Sequence, residues 1–465
     1  MWFILHLELL RGREVKVPKY KKVSRMATWL LPGLQIKRWF FLTFLGTFCL
    51  ALGGAIVLDL HPINQSIEMV RTVAQKSPSS LTGSIVVFLG FIFFLLGWKK
   101  ANSSIMDAID PGDRAHLLET LYRRRKLNRG PKIVAIGGGT GLSTILKGLK
   151  HITNNITAVV TVGDDGGSSG RLREEMGVLP PGDIRNCIAA LADEEDLVTE
   201  LFQYRFKSGN GLEGHSFGNL FLSALCAITG DMVTAVKESS KVLAIRGQVL
   251  PATLDDMRLV AELEDGRVIM GESHIPEAGG KIKRLRTEPA NLQPLEDAVH
   301  AIETADIIIL GPGSLYTSMI PNLLIDGITE TISNSRAKKI YICNIMTQPG
   351  ETDDFSAADH VRTILDHSRY KNIIDAVFVN DSLPKNLALK YKAVNSVPVK
   401  LDIENLKKLG VKFVIKRLIE KNKEGLVRHS PRRLARAVYH WYKNSHHYKS
   451  VSVFNKENSE EHQFI

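Results

Sequence analysis

The chain has 465 residues, 44% hydrophobic and 23% charged, with a formal net charge of +11. That length allows two or three compact units of ordinary globular composition. Its four cysteines, Cys49, Cys187, Cys226 and Cys343, form no CxxC pair, which argues against a zinc site or disulfide framework and suits a reducing compartment.

The excess positive charge does not mark a nucleic-acid binder, because it is confined to one end. Residues 1–38 hold nine Lys/Arg against two Glu, and residues 99–131 hold eight basic against four acidic side chains. The stretches 39–98 and 132–465 each balance to zero. Between the basic flanks lie two apolar runs, Trp39–Leu58 of twenty residues and Ser77–Trp98 of twenty-two, neither containing Asp, Glu, Lys or Arg. About twenty apolar residues span a bilayer as a helix. Lys37 and Arg38 precede the first run and Lys99 and Lys100 follow the second, whereas the loop 59–76 carries no such excess. Basic residues collect on the cytoplasmic side, so the expectation is a two-helix hairpin over 39–98 with both termini and the main domain cytoplasmic. The protein is then expected at the cell membrane, with Trp39 and Trp98 at one interface. The arginines of "YRRRKLNRG", at the end of a linker over 99–130, would lie against anionic lipid.

From Pro131 to about 445, apolar strands alternate with helical patterns. "IVAI" meets "GGGTG", Ala158–Val162 meets "GDDGGSSG", and "ADIIIL" meets "GPGS". "KKIYICNI" and "DAVFVN" read as further strands. This alternation predicts a Rossmann-like α/β/α fold around a parallel sheet. In "PPGDIRNCIAALAD", Asp183 is the expected N-cap, with Ile184, Cys187, Ile188 and Leu191 at helical spacing. Short alternating strands over about 241–290, with Asp265-Gly266 as a hairpin turn, predict a small β-rich insert. Ser430-Pro431 opens a helix pattern, and residues 446–465 read as a disordered tail.

Three glycine-rich loops at strand ends suit a ligand carrying phosphates, since glycine admits close approach and helix N-termini attract anions. "GGGTGLS", which contains Gly138, Gly139, Thr140 and Gly141, satisfies neither the P-loop pattern nor the dinucleotide fingerprint. That weakens a NAD-dependent reading. Asp164 and Asp165 admit three roles: ribose binding, holding Mg²⁺ beside phosphates, or capping. Ser168 and Ser169 can donate to phosphate or ribose oxygens, and Arg171 can pair with phosphate or with Glu174 or Glu175. His215, beside Asn219 and before a helix, admits a capping role or acid–base chemistry. No HExxH, Cys/His cluster or nucleophile–base pair at diagnostic spacing is present.

The segments "IGGGTGLSTILKGLK", "TVGDDGGSSGRLREEMGVLPPGDIRNCIAALAD", "LFQYRF", "GHSFGNLFLSAL", "RGQVLPATLDD", "GPGSLYTSMIPNLL" and "CNIMTQPGETD" occur in this order over about 132–385. Together they closely resemble the gluconeogenesis factor family (YvcK-like), within the superfamily of 2-phospho-L-lactate transferase (CofD-like). "RHSPRRLARAV" is a weaker echo. The resemblance implies a three-layer Rossmann-like sheet that binds UDP-activated sugars. It also implies links to carbon metabolism, cell-wall precursor supply and cell shape, in a branch without assigned catalysis. The transferase branch implies the alternative, a Mg²⁺-dependent transfer from a nucleotide-diphosphate-activated donor. A nucleotide-binding role carries over to Gly138, Gly139, Thr140, Asp164, Asp165, Ser168, Ser169, Asp183, Asn186, His215, Asn219, Gly311, Gly313, Ser314 and Asn344. Expected partners are a UDP-sugar or related nucleotide, the membrane, cell-wall synthesis proteins and a second copy of the chain. The membrane hairpin departs from the family, whose members are typically soluble.

Overall fold

The computed structural model describes residues 125–193, 195–381, 395–421 and 427–460, with Glu68 and Tyr391. The chain divides into two compact units, Met1–Arg123 and Arg124–Ile465, and the second holds the fold described below. The expected hairpin over 39–98 lies outside the described residues. Among the described residues, no single helix is long and apolar enough to cross a membrane.

Strands β1 (Ile133–Gly137) and β2 (Ile156–Val160) are buried at every residue, as continuous apolar strands covered on both faces must be. Between them α1 (Gly139–Leu149) turns Leu142, Ile145, Leu146 and Leu149 inward at helical spacing. Then come α2 (Gly167–Met176), α3 (Gly182–Leu191), α4 (Glu195–Gln203), α5 (Phe217–Thr229) and α6 (Met232–Val242), before β3 (Gln248–Pro251) pairs in parallel with β2. Ile184, Cys187, Ile188 and Leu191 of α3 are buried as their spacing predicts.

A separate antiparallel sheet follows, built from β4 (Arg258–Leu263), β5 (Val268–Met270) and β6 (Ile282–Glu288), with α7 (His274–Ala278) between the last two. Asp265 and Gly266 form the predicted turn, where the Gly266 amide donates to Leu263 O at 3.1 Å. The insert is therefore real but shorter than its expected span. "QVLP" belongs to the main sheet because its backbone pairs with β2.

After α8 (Glu296–Glu303) the chain re-enters the main sheet as β7 (Ile307–Leu310), parallel to β1 on the side away from β2. A π-helical turn (Leu315–Met319), α9 (Ile320–Leu323) and α10 (Ile328–Asn334) lead to β8 (Lys338–Ile342). Next are α11 (Ala357–Ser368), β9 (Ala376–Asn380), α12 (Ile403–Lys408) and β10 (Lys412–Lys416). The seven-stranded order is β10-β9-β8-β7-β1-β2-β3, and every pairing is parallel. The winding direction reverses between β1 and β7, so the carboxyl ends of these two strands flank the crevice where open α/β sheets bind ligands.

A two-stranded ribbon, β11 (Ile419–Lys421) and β12 (Val427–His429), precedes α13 (Pro431–Glu460). The start of α13 lies so close to α1 that a side chain at Gly148 would stand 2.7 Å from the Pro431 carbonyl carbon. The helix continues through Glu460 rather than stopping near 445. Residues 446–460 contain no Gly or Pro to end it.

Candidate functional site

All three glycine loops lie at the carboxyl edge of the parallel sheet, but they are not equivalent. The first follows β1. Gly139 adopts φ +62°, a conformation that favours glycine, as the chain turns into α1. The third follows β7, where Gly311 has φ +75°. These two loops are in backbone contact: a Cβ on Gly141 would stand 2.6 Å from Gly313 Cα, with the Pro312 carbonyl still closer. Thr140 is exposed at the first turn of α1.

Asp183 is not the N-cap that its position suggested. Pro181 occupies the cap position without a side-chain cap bond. The Asp183 carboxylate instead lies against Gly138 and Gly139 and accepts from the Gly139 amide. Burial and the neighbouring Asp164 push its pKa up to about 7, against the opposing pull of the Gly139 hydrogen bond and Arg185.

Glu351 stands beside the third loop. It is buried near the Ser314–Thr317 segment at the start of the π-helical turn, and its Oε2 has no hydrogen-bond partner. Burial outweighs the opposing pull of the Tyr316, Ser314 and Thr317 groups and raises its pKa to about 7. Ser314 also accepts from Gln348 Nε2 at 2.5 Å, and Gln348 Oε1 accepts from Asn344 Nδ2 at 3.1 Å, which joins the ends of β7 and β8.

The second loop behaves differently. Asp164 Oδ1 accepts the Gly166 amide at 3.0 Å, a local turn that opens α2. Its other oxygen faces α3, since a Cβ on Gly182 would stand 2.6 Å from it and close to Ser169 Oγ as well. Ser168 and Ser169 in the first turn are buried. The Ser168 hydroxyl lies 3.0 Å from His215 Nδ1, and Asn219 Nδ2 donates to Ser168 at 3.1 Å and to Ser169 at 3.4 Å. His215 is buried, and burial together with Arg171 lowers its pKa, which favours the neutral imidazole. The cap of α5 is Ser216 rather than His215. Buried Arg185 donates to Ser216 Oγ at 2.6 Å and to Asn186 Oδ1 at 2.9 Å, so Asn186 serves to orient a cation.

Two expected ligand residues are engaged elsewhere. Asp165 accepts the amides of Glu272 and Ser273, each at 2.9 Å, and so ties the insert to this loop. Arg171 is exposed and donates to Glu213 O at 2.8 Å. The insert is also held by Arg173, whose guanidinium reaches Asp256 and donates to Met257 O at 2.8 Å. At its other end, a Cβ on Gly350 would stand 2.9 Å from the Pro276 carbonyl carbon. The insert thus spans from the second loop to the 348–351 turn. It brings Glu272 beside Asp164, Asp183 and Glu351; burial first, then these charges, raise the Glu272 pKa well above the usual carboxylate range.

Of the expected Mg²⁺ pair, Asp165 is turned into the insert, where each of its oxygens accepts one amide, while Asp164 faces α3. Among the described residues, no three His, Cys, Asp or Glu side chains converge to hold a metal. Glu272, Glu351 and Arg185 escape local sequence reading because their partners are remote in the chain. The only local signal for Glu351 is its place in the quoted segment "TQPGETD".

The family described as 2-phospho-L-lactate transferase CofD matches residues 133–419, the span from β1 to β11. A Nostoc sp. (strain PCC 7120) relative, of the gluconeogenesis-factor type, is 53% identical over 433 residues, covering 92% of this chain and 95% of its own. The gluconeogenesis factor of Bacillus subtilis (strain 168) is 52% identical over 310 residues, 66% of this chain and 97% of that protein. A crystal structure of a Bacillus halodurans protein superposes with a TM-score of 0.65 at 47% identity, covering 67% of this chain and all of that one. With the same parallel sheet and this degree of identity along almost the whole length, the chain belongs to the gluconeogenesis factor family and carries its CofD-like domain.

Proposed function

We propose that the chain is a membrane-tethered regulator that binds a nucleotide-sugar, a UDP-sugar by resemblance. It would act in carbon metabolism, cell-wall precursor supply and cell shape, with cell-wall synthesis proteins as partners. The carrying observation is the carboxyl edge of the sheet, where His215 and Asn219 hold Ser168 at the start of α2, and Arg185 lies near Asp164 and Asp183. Amides and cations suit phosphates, whereas carboxylates suit the hydroxyl groups of a sugar. The tether rests on the two apolar runs and their basic flanks. Titration calorimetry of the full chain in nanodiscs tests the binding reading with UDP-glucose and UDP-N-acetylglucosamine. Absence of heat with both, from protein of verified fold, would refute it. Cysteine labelling across 59–76 in intact cells tests the tether: labelling from outside is expected, and labelling from the cytoplasmic side alone overturns it.

A second reading, a CofD-like transferase using a nucleotide-diphosphate-activated donor, is favoured by the family match over 133–419. It predicts a mass-shifted acceptor when the chain is incubated with donor, acceptor and Mg²⁺. Failure across varied donors counts against it.

A further inference from the structure

Over its first three turns α13 has two faces of opposite character. Leu434, Ala435 and Val438 are buried, and Trp441 packs edge-on against Phe378 with ring centroids 6.1 Å apart. At about 100° per residue these positions share one side of the helix. The exposed residues between 432 and 443 are Arg432, Arg433, Arg436, His440 and Lys443. Residues 431–445 contain four Lys/Arg and no Asp or Glu.

Arg433 is turned aside and donates to Ile419 O at 2.9 Å. Arg432, Arg436, His440 and Lys443 follow one another at steps of four, four and three residues, so they stand in one row. Among the described residues none of the four forms an ion pair with a carboxylate; Lys443 Nζ lies over the Tyr439 ring, 4.8 Å from its centroid. Two carboxylates border the helix and both are engaged: Glu420 accepts from the Ser430 hydroxyl at 2.5 Å, and Asp306, beside Tyr442, accepts the Lys132 amide at 2.8 Å. A solvated helix surface gains from opposite charges three and four residues apart and loses from like ones. A row of one sign, in a stretch 132–465 that balances to zero, calls for an anionic counterpart from outside the chain.

The place of the row on the fold narrows what that counterpart is. The foot of α13 rests on the last turn of α1, where a Cβ on Gly148 would stand 2.8 Å from Ala435 Cβ. The residues just after α1 hold the segment by which the chain enters this unit: Thr153 Oγ1 donates to Pro131 O at 3.0 Å, and the Asn154 amide donates to Leu127 O at 3.1 Å. Exposed Lys126 and Arg129 belong to that segment. The foot of α13 and the point of entry therefore flank one end of α1. Twenty-six residues, 99–124, connect the entry to the second apolar run, and a chain of that length spans at most about 90 Å. On the tether reading, a bilayer surface is always within reach, and weak attraction to it acts at high effective concentration.

We propose that the basic row of α13, together with Lys126 and Arg129, is a docking surface for anionic lipid headgroups. It holds the CofD-like domain against the membrane instead of leaving it free on its linker. The proposal rests on the tether reading for the nearness of the bilayer, but not for the charge of the surface. Each Lys or Arg at an anionic surface strengthens binding roughly fivefold, so a few of them suffice for a domain that is already tethered.

Acylation of lysines in the full chain, followed by mass spectrometry, tests the docking in nanodiscs of phosphatidylcholine alone or mixed with phosphatidylglycerol. Lys443 should react roughly tenfold more slowly on the discs with phosphatidylglycerol, and high salt should abolish the difference. Exposed Lys237 on α6 should react alike on both. The double variant Arg432→Glu/Arg436→Glu should lose the slowing at Lys443, and the milder Arg432→Gln/Arg436→Gln should lose most of it without adding repulsion. Equal Lys443 rates on the two discs, slowing that survives both variants, or equal slowing at Lys237 would overturn the proposal. Protection of Lys443 by an added RNA oligonucleotide, with none from phosphatidylglycerol, would overturn it in favour of a nucleic-acid surface. If the chain leaves phosphatidylcholine discs but stays on phosphatidylglycerol discs through these arginines, the docking stands and the tether falls. If it stays in both with equal Lys443 rates, the tether stands and the docking falls. Association with neither removes both.

Discussion

Glu351→Gln separates the two things Glu351 does, which are to accept hydrogen bonds and to carry a charge. In the folded protein its pKa stands at about 7 against an ordinary 4.5, because burial outweighs the opposing pull of the 314–317 turn. At ~1.4 kcal/mol per tenfold change in acidity, holding the ionised form in place costs about 3 kcal/mol. The unfolded chain releases this proton near pH 4.5 and the folded chain only near 7, so across that window the folded state holds more protons. Stability from this group is therefore full below pH 4.5, falls as pH rises toward 7, and is level above it. Glutamine keeps one acceptor oxygen for the turn and has no proton to lose. The stability of Glu351→Gln relative to wild type should therefore rise by about 3 kcal/mol between pH 4.5 and 8, whatever constant offset the lost carboxylate oxygen introduces. Urea unfolding at half-unit pH steps, followed by far-UV ellipticity, gives that difference directly. A difference that stays flat across the range would refute the reasoning, since Asp183 and Glu272 titrate in both proteins.

Gly141→Ala should destabilise the domain by about 2 kcal/mol through overpacking, because the new methyl collides with the backbone of Pro312 and Gly313; an unchanged urea midpoint would contradict the contact. Asp165→Ala removes the charged acceptor of two insert amides and should loosen the insert by about 3 kcal/mol. That loosening is read as faster hydrogen exchange over 271–278, and unchanged exchange there would show that the clamp lies elsewhere. Buried His429 has its pKa lowered to about 4 by burial. The folded protein refuses a proton that the unfolded chain accepts, so stability is present above pH 6.5 and is lost as pH falls toward 4, by about 3 kcal/mol. His429→Gln should flatten that part of the acid unfolding profile, and an identical slope in the variant would exclude the residue as its source.

How far the sequence reaches is clearest in α3. The spacing of Ile184, Cys187, Ile188 and Leu191 predicts the buried face, because a helix repeats locally and burial follows its period. The same is true of the strand cores, of the Asp265-Gly266 turn and of the glycine loops at strand ends. The family, too, is legible in short ordered segments. Asp183 shows where this stops. By local rules a polar residue after Pro-Pro-Gly caps its own helix, yet its carboxylate reaches a loop more than forty residues back in the chain. Likewise "DD" reads as one acidic pair, whereas the structure turns Asp164 toward α3 and Asp165 into the insert. Period and turn chemistry are set by neighbours a few residues apart, so the order of residues alone determined the elements and their faces. Which amides are already satisfied and which remain open depends on groups brought together only when β1, β2, β7 and the insert converge on one edge, and this the tertiary structure alone decided.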